Sequence, residues 1–393
     1  MKKTTMLLGA MLMCLLSYSN LTAQAVPDST AAKKGAFAFS GYLDTYYFAN
    51  LNNPKSQKNV GIAGNARAFE QRAGQFQLGL FQAKGVYTSG KVDATVDLTF
   101  GNNADLGNYG NLIGPLGVGT TALIIKQLFV SYKATDKLTF TAGQFGTHIG
   151  YELIESTLNY NYSLSNLFNN GPFYHIGLKA NYAFSDKFSL MAGVVNNVDN
   201  LYDNNKAKGI IAQMYVAPAA GWNVYVNWLG SNESSNPNDS TGYFSLFDLT
   251  TTFQVSEKLL IGVNAAYGTQ KGDYQGLTPF YDDTKEWGGV ALYTNYKVSD
   301  VFSFGARGEY FDNTSGARFL RNSLGEGTDV FSLTITPTIT LGDGNLMLKP
   351  EFRLDNYKKM DDGEGVLQQF EDKDGNFTKS SQSTIGMAAI FKF

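Results

Sequence analysis

The chain is 393 residues long, 17% of them charged, with a formal net charge of −3, and so lacks the strong basic patch that nucleic acid demands. Past the first 25 residues no apolar run approaches the 18 or so needed for a spanning helix, which excludes a helical membrane protein. The 42 glycines and 14% aromatic residues leave an all-β chain, soluble or membrane-embedded.

The first element is a leader. Lys2 and Lys3, the apolar stretch Met6 to Leu16 and the small-residue site Ala23-Gln24-Ala25 follow the order of a secretory signal peptide. The apolar stretch is too short to cross a bilayer, which takes about 20 residues as a helix. The expected organisation is a signal peptide at 1–25, a short periplasmic segment at 26–35 and a single transmembrane β-barrel at 36–393. So short a segment before the barrel argues against a plug formed from it. The one cysteine, Cys14, lies in the leader behind Met13, which is not the small residue a lipoprotein site wants. The mature chain then has no thiol and no disulfide.

From Ala36 onward the side chains alternate with period two, so each segment has one apolar and one polar wall. Val92, Ala94, Val96, Leu98 and Phe100 alternate with Asp93, Thr95, Asp97 and Thr99, and Trp222, Val224, Val226 and Trp228 with Asn223, Tyr225 and Asn227. Strands are expected near 36–50, 70–87, 91–101, 122–133, 137–147, 172–184, 187–198, 208–217, 221–231, 243–255, 258–269, 286–298, 301–311, 329–341, 345–356 and 382–393. That is about sixteen, to within two, since the second and fourth alternate poorly and Lys84 and Lys126 sit awkwardly in them. Pro337 and Pro350 fall inside strands, where a missing ladder donor predicts bulges.

The connections alternate in length. Short turns are expected at Thr88-Ser89-Gly90, Ala134-Thr135-Asp136, Ser185-Asp186, Pro218-Ala219-Ala220, Ser256-Glu257, Ser299-Asp300 and Gly342-Asp343-Gly344, with longer Gly/Asn/Asp-rich connections between them. Short turns on one rim and long loops on the other describe an outer-membrane barrel. Hydrocarbon offers no hydrogen-bond partners, so the sheet must close, first strand on last. The expected fold is a closed antiparallel transmembrane β-barrel with short periplasmic turns and longer outer loops. In the last strand Ile385, Met387, Ala389, Phe391 and Phe393 share one face, and the terminal Phe393 is the expected signal for the barrel assembly machinery.

The opening Gly41-Tyr42-Leu43-Asp44-Thr45-Tyr46-Tyr47 with Asn52-Asn53-Pro54 resembles the start of the OmpL-like beta-barrel porin-2 family. The resemblance continues through Gly150-Tyr151-Glu152, Asn159, Tyr162-Ser163, Pro172, His175 and Gly177, then Asn196-Asn197-Val198-Asp199 and Asn204-Asn205-Lys206. It runs over nearly the whole mature chain and implies an outer-membrane barrel with pore activity, without naming a solute.

Alternation points Asp44, Asp93, Asp97, Lys179, Asp248, Arg307, Glu309, Lys349, Glu351, Arg353, Asp355 and Lys392 into the lumen. These are either an ordinary solvated wall or charges placed to select solutes. A ring of about 16 strands is wide enough for water. The third outer loop, roughly His148 to Gly171, is the candidate constriction by analogy with general porins. Glu152 and Glu155 would share one face of a helical turn there. They would look across the lumen toward Arg307 and Arg353, setting a transverse field that Glu309 and Glu351 weaken. The pore-lining set is thus Glu152, Glu155, His175, Lys179, Arg307, Glu309, Lys349, Glu351, Arg353 and Asp355.

No catalytic, cofactor or metal set emerges. His148 and His175 flank the third loop, and the readings open to them are rim hydrogen bonding, a metal or pH-sensing pair, or catalysis. Asp372-Lys373-Asp374-Gly375-Asn376 is a polar turn or a surface calcium loop, lacking the distal Glu of an EF-hand. The expected activity is passive diffusion of small hydrophilic solutes or ions, with outer-membrane lipids as surroundings and a homo-oligomer compatible with the sequence. The alternative is a surface barrel serving as adhesin, receptor or subunit of an outer-membrane complex.

Overall fold

The computed structural model describes residues 35–107, 124–203, 205–234, 242–272, 281–361 and 363–393. The expected leader, its cleavage site and all but the last residue of the 26–35 segment lie outside these. The strands are β1 (Ala36–Asn50), β2 (Phe76–Ser89), β3 (Val92–Phe100), β4 (Ile125–Lys133), β5 (Leu138–Gly146), β6 (Tyr174–Ser185), β7 (Phe188–Val195) and β8 (Gly209–Ala219). They continue with β9 (Trp222–Asn232), β10 (Tyr243–Gln254), β11 (Leu259–Gly272), β12 (Tyr281–Lys297), β13 (Phe302–Asp312), β14 (Asp329–Leu341) and β15 (Leu346–Tyr357). A short hairpin, β16 (Phe370–Glu371) and β17 (Phe377–Lys379), stands in the last outer loop before β18 (Ser381–Lys392). Among the described residues two short helices, α1 (Asn102–Gly107) and α2 (Asn166–Asn170), lie in outer loops.

Every barrel strand pairs antiparallel with its neighbours, and β18 closes on β1 from Tyr42↔Lys392 to Asn50↔Thr384. The ring holds sixteen strands. Gly41 and Phe393 exchange both backbone hydrogen bonds at 3.0 Å, sealing the seam to its last residue. The Phe393 ring lies outside the barrel near Phe39 and Phe81.

The faces are inverted relative to a soluble protein. On β4, Leu128, Val130 and Tyr132 are exposed on the outer wall, and the same holds for Val92 and Val96 on β3 and Leu190 and Val194 on β7. Inward positions carry the polar and charged groups. An apolar exterior of this extent is stable against lipid rather than water. Exposed Tyr87, Tyr132, Tyr182, Trp222 and Tyr296 lie toward the short-turn rim, and Tyr243, Tyr267 and Tyr310 toward the long-loop rim. These are the interfacial aromatic belts of a membrane barrel.

Three local expectations change. β2 starts at Phe76 rather than residue 70, because the preceding segment folds on itself: Asn59 Nδ2 donates to the Glu70 carbonyl at 2.8 Å, and Lys58 bridges Arg72. β12 starts at Tyr281, five residues earlier than expected. Pro337 and Pro350 cause no bulge. The β14–β15 register is the same at Ile335↔Phe352 and Ile339↔Leu348, so the prolines stand opposite each other and concentrate both missing donors at one place.

The two misfit lysines are resolved by the register. Lys84 belongs to the inward face and pairs with Asp97 on β3. Lys126 is skipped where pairing steps from Asp97↔Gln127 to Leu98↔Ile125, so it is the extra residue of a β-bulge. A bulge re-aims a side chain, and here it turns Lys126 into the lumen.

With short turns toward the periplasm, the β16–β17 hairpin is outside the cell. A single cysteine introduced at Asp374 should label with a membrane-impermeant maleimide on intact cells, and one at Asp186 only after permeabilisation. Labelling of the Asp186 variant on intact cells would invert this orientation.

Candidate functional site

Residues 147–173, the third outer loop, leave β5 and turn into the lumen. His148 Nε2 meets the Trp228 carbonyl on β9 at 3.0 Å, and the Gly150 N–H donates to Asp248 on β10 at 3.1 Å. Tyr151 stacks on Tyr293 of β12, centroids 4.2 Å apart. Glu152 then forms an ion pair with Arg307 on β13, eight strands round the ring from β5. The loop crosses to β1, where Ser156 Oγ donates to Asp44 at 2.6 Å, and returns along β14 and β15 to β6.

The wall of β13, β14 and β15 holds the loop by its backbone. Glu309 accepts from the Asn166 and Leu167 N–H groups at 2.9 and 2.8 Å. Glu351 accepts from the N–H groups of Tyr162 at 2.7 Å and Ser163 at 3.2 Å. Lys349 donates to the carbonyls of Ser156 and Asn159, and Arg353 to that of Leu164, at 2.6–2.7 Å. Each is a charge-assisted bond, worth about 1.5–3 kcal/mol against about 1 for a neutral one. Two glycines let the loop come close. A Cβ at Gly305 would lie 2.6 Å from the Tyr160 carbonyl oxygen, and one at Gly262 would strike the Tyr151 ring.

The first outer loop, 51–75, reaches the same cluster. Arg67 Nε donates to Asp355 at 2.7 Å, and Arg353 Nε binds the other oxygen at 2.8 Å. Glu70 sits 3.9 Å from Arg67, and burial pushes its carboxyl up to about 7. Arg67 is not legible as a site residue from alternation, which assigns faces only within strands, and Arg67 lies in a loop. The signal available was the run of charges at Arg67, Glu70 and Arg72 in a Gly/Ala-rich stretch.

Of the ten positions in the expected pore-lining set, eight are buried under the loops: Glu152, His175, Arg307, Glu309, Lys349, Glu351, Arg353 and Asp355. Glu155 and Lys179 are half-buried. Two expectations about the loop are corrected. Glu152 and Glu155 do not share a helical face, since 152–155 is not helical. Glu152 points to β13, while Glu155 points the other way, to Lys126 on β4 and Gln82 on β2. Nor do carboxylates face guanidinium groups across an open gap: Glu152 and Arg307 are in contact, and the gap is closed. The histidine rings lie 5.8 Å apart, His175 Nε2 within 3.1 Å of the Thr147 hydroxyl. The carboxylate of Asp372 is taken up by its own turn, accepting from the Asp374 and Asn376 N–H groups and from Thr378.

Where the third loop rejoins the barrel it is pinned from outside. Asp199 accepts from the N–H groups of Phe173 and Tyr174 at 2.6 and 3.0 Å, and Glu233 accepts from Val198 N–H at 3.2 Å. Burial pushes Asp199 up to about 7, against its hydrogen bonds and Arg318. Burial pushes Glu233 up to about 8, with Asp199 and Asp203 adding repulsion.

A sixteen-strand barrel with an apolar belt, aromatic rims and an infolded third loop is an outer-membrane barrel of the porin class. The family described as "Putative beta-barrel porin-2, OmpL-like" matches residues 36–393, and the chain belongs to it. It is an outer-membrane porin. No curated protein sequence matches the chain. Solved structures share the fold at low identity. The outer membrane channel DcaP of Acinetobacter baumannii is 12% identical with a TM-score of 0.57, covering 92% of this chain and 99% of that one. The in-vitro folded OmpT of Vibrio cholerae in its trimer form is 14% identical, with a TM-score of 0.55 over 92% and 100%. An anion-selective porin from Comamonas acidovorans is 10% identical, with a TM-score of 0.54 over 92% and 100%.

Two outcomes follow from the clamp. Arg307→Met leaves Glu152 and Glu309 buried without their cation and should cost about 3–5 kcal/mol, read by urea unfolding in micelles. Glu155→Gln should cost less, since both partners there keep some water.

Raised carboxyl pKa values make folding favour the protonated forms. The contribution of Asp199 and Glu233 is full below about pH 4 and is lost as pH rises through about 7 and 8. The thermal midpoint should therefore be higher at pH 5 than at pH 9, and the Asp199→Asn, Glu233→Gln double variant should flatten that difference. A steeper fall in the double variant would contradict the assignment.

Proposed function

We propose that the barrel is a passive diffusion channel for small hydrophilic solutes or ions, with the third outer loop as its constriction. The observation that carries this is the asymmetry of the lumen. The loop is clamped dry against β13–β15. The arc from β2 to β8 keeps half-buried polar groups on its inward face, among them Lys84, Gln127, Thr141, Lys179 and Gln213. Solutes pass between the loop and that arc, where Glu155 and Lys126 form the charged lip. The buried pore-lining residues serve as the loop's anchors, and Glu155 and Lys179 meet the permeant.

No reaction is proposed. His148 and His175 are spent on the Trp228 carbonyl and the Thr147 hydroxyl, and no carboxylate among the described residues binds either ring. Residues 1–25 export the chain, Phe393 marks it for the barrel assembly machinery, and lipids surround it. Association of copies through the apolar wall is compatible with the trimer form of the Vibrio cholerae relative in fold.

Purified, refolded protein in planar bilayers should give stepwise, ohmic conductance, and proteoliposomes should swell in small sugars. Gly305→Leu should push the loop tip off the β13 wall into the open arc and lower the unit conductance. Absence of both steps and swelling would sink the channel reading.

A further inference from the structure

Most cations in the lumen are compensated. Arg307, Arg353 and Arg67 are matched by Glu152, Asp355 and Glu70, and Lys349 is spent on loop carbonyls. On the open arc, Lys126 is held by Glu155 and Asp97, Lys133 pairs with Asp93 at 3.2 Å, and Lys84 stands opposite Asp97 in register. Lys392 forms no ion pair among the described residues, but it ends β18 at the periplasmic rim, where water screens it.

Lys179 differs from all of these. It sits midway along β6, half-buried on the inward face, and makes no ion pair or hydrogen bond among the described residues. Its neighbours in register are Thr141 on β5 and Gly193 on β7, and neither brings charge. A Cβ at Gly193 would lie 2.8 Å from the Lys179 side chain, so the glycine leaves the stem room. The ammonium group rests over the Phe145 ring, 4.3 Å from its centroid. A ring face holds a cation without neutralising it. The nearest carboxylate in the same row is Asp93, reached through Thr141 and Ser131. Three strand spacings put it roughly 14 Å away along the wall at about 4.8 Å each. That exceeds the Debye length of about 8 Å at physiological salt.

We propose that Lys179 is the specificity-determining residue of the channel, an uncompensated cation at mid-depth that favours small anions, carboxylate-bearing solutes included. The inference rests on the diffusion reading above. A fixed charge on the wall of a narrow, water-filled passage concentrates counter-ions and excludes co-ions. The clamped half of the lumen adds less to this, because its cations meet carboxylates or loop carbonyls and its remaining carboxylates, Asp44 and Asp248, are buried under hydrogen bonds from Ser156 and Leu80 and from Gly150, Asn227 and Asn264.

The test is the reversal potential of the refolded protein under a potassium chloride gradient. Wild type should prefer chloride several-fold. Lys179→Gln should bring the permeability ratio near parity, and Lys179→Arg should keep the preference. Thr141→Asp, which sets a carboxylate beside the ammonium from the next strand, should also abolish it. That variant keeps the test open if Lys179→Gln folds poorly, folding being read by heat-modifiable migration on gels. Conductance with unmoved reversal potentials in both neutralising variants overturns the role of Lys179 alone. Absence of conductance in wild type overturns it together with the channel reading.

Discussion

Hydrocarbon cannot hydrogen-bond, and the rest of the molecule follows from that. A sheet in lipid has to satisfy every ladder donor and acceptor internally, so it has to close. Closure here runs to the last residue, with Phe393 bonded in both directions to Gly41. A ring of sixteen strands then encloses more space than the wall's own side chains can fill. The interior must be wet, or occupied by chain brought in from elsewhere. In this protein the third outer loop fills the side along β13 to β15, and the opposite arc keeps half-buried polar groups.

The filled side explains the density of charge on β13 to β15. A loop without regular structure carries backbone donors and acceptors into the lumen, and each needs a partner once water is displaced. Glu309 and Glu351 supply acceptors for N–H groups, and Lys349 and Arg353 supply donors for carbonyls. The wall charges thus do for the loop what a second strand does for a first. Burial of so many ions is tolerable because each finds an opposite charge or several dipoles. The same pairing removes them from the view of a passing solute.

Much of the barrel was legible in the chain. Period-two alternation is a local property: Leu128, Val130 and Tyr132 declare the outer wall wherever the strand lies. The alternating turn lengths give antiparallel order and rim assignment. Lys126 was legible only as a misfit, because a bulge depends on pairing with Asp97 and Leu98 across the ladder. Pro337 and Pro350 looked like two separate defects. Only the register shows that they face one another and form a single interruption.

The inward charges mark where local information ends. Alternation turns Arg307, Glu351 and Lys179 inward, and says nothing of which are dry. Arg307 meets Glu152 from a loop 155 residues earlier, and Arg67 meets Asp355 across 288. No spacing within a strand encodes such meetings, which arise when closure brings β5 and β13 to opposite sides of one lumen. The residues of the chain therefore settle the closed wall and its two faces, since those depend on neighbours in sequence and on the lipid. The three-dimensional arrangement settles which half of the lumen the loop seals and which wall charges find partners on it, because those depend on a loop crossing the ring to partners eight strands away.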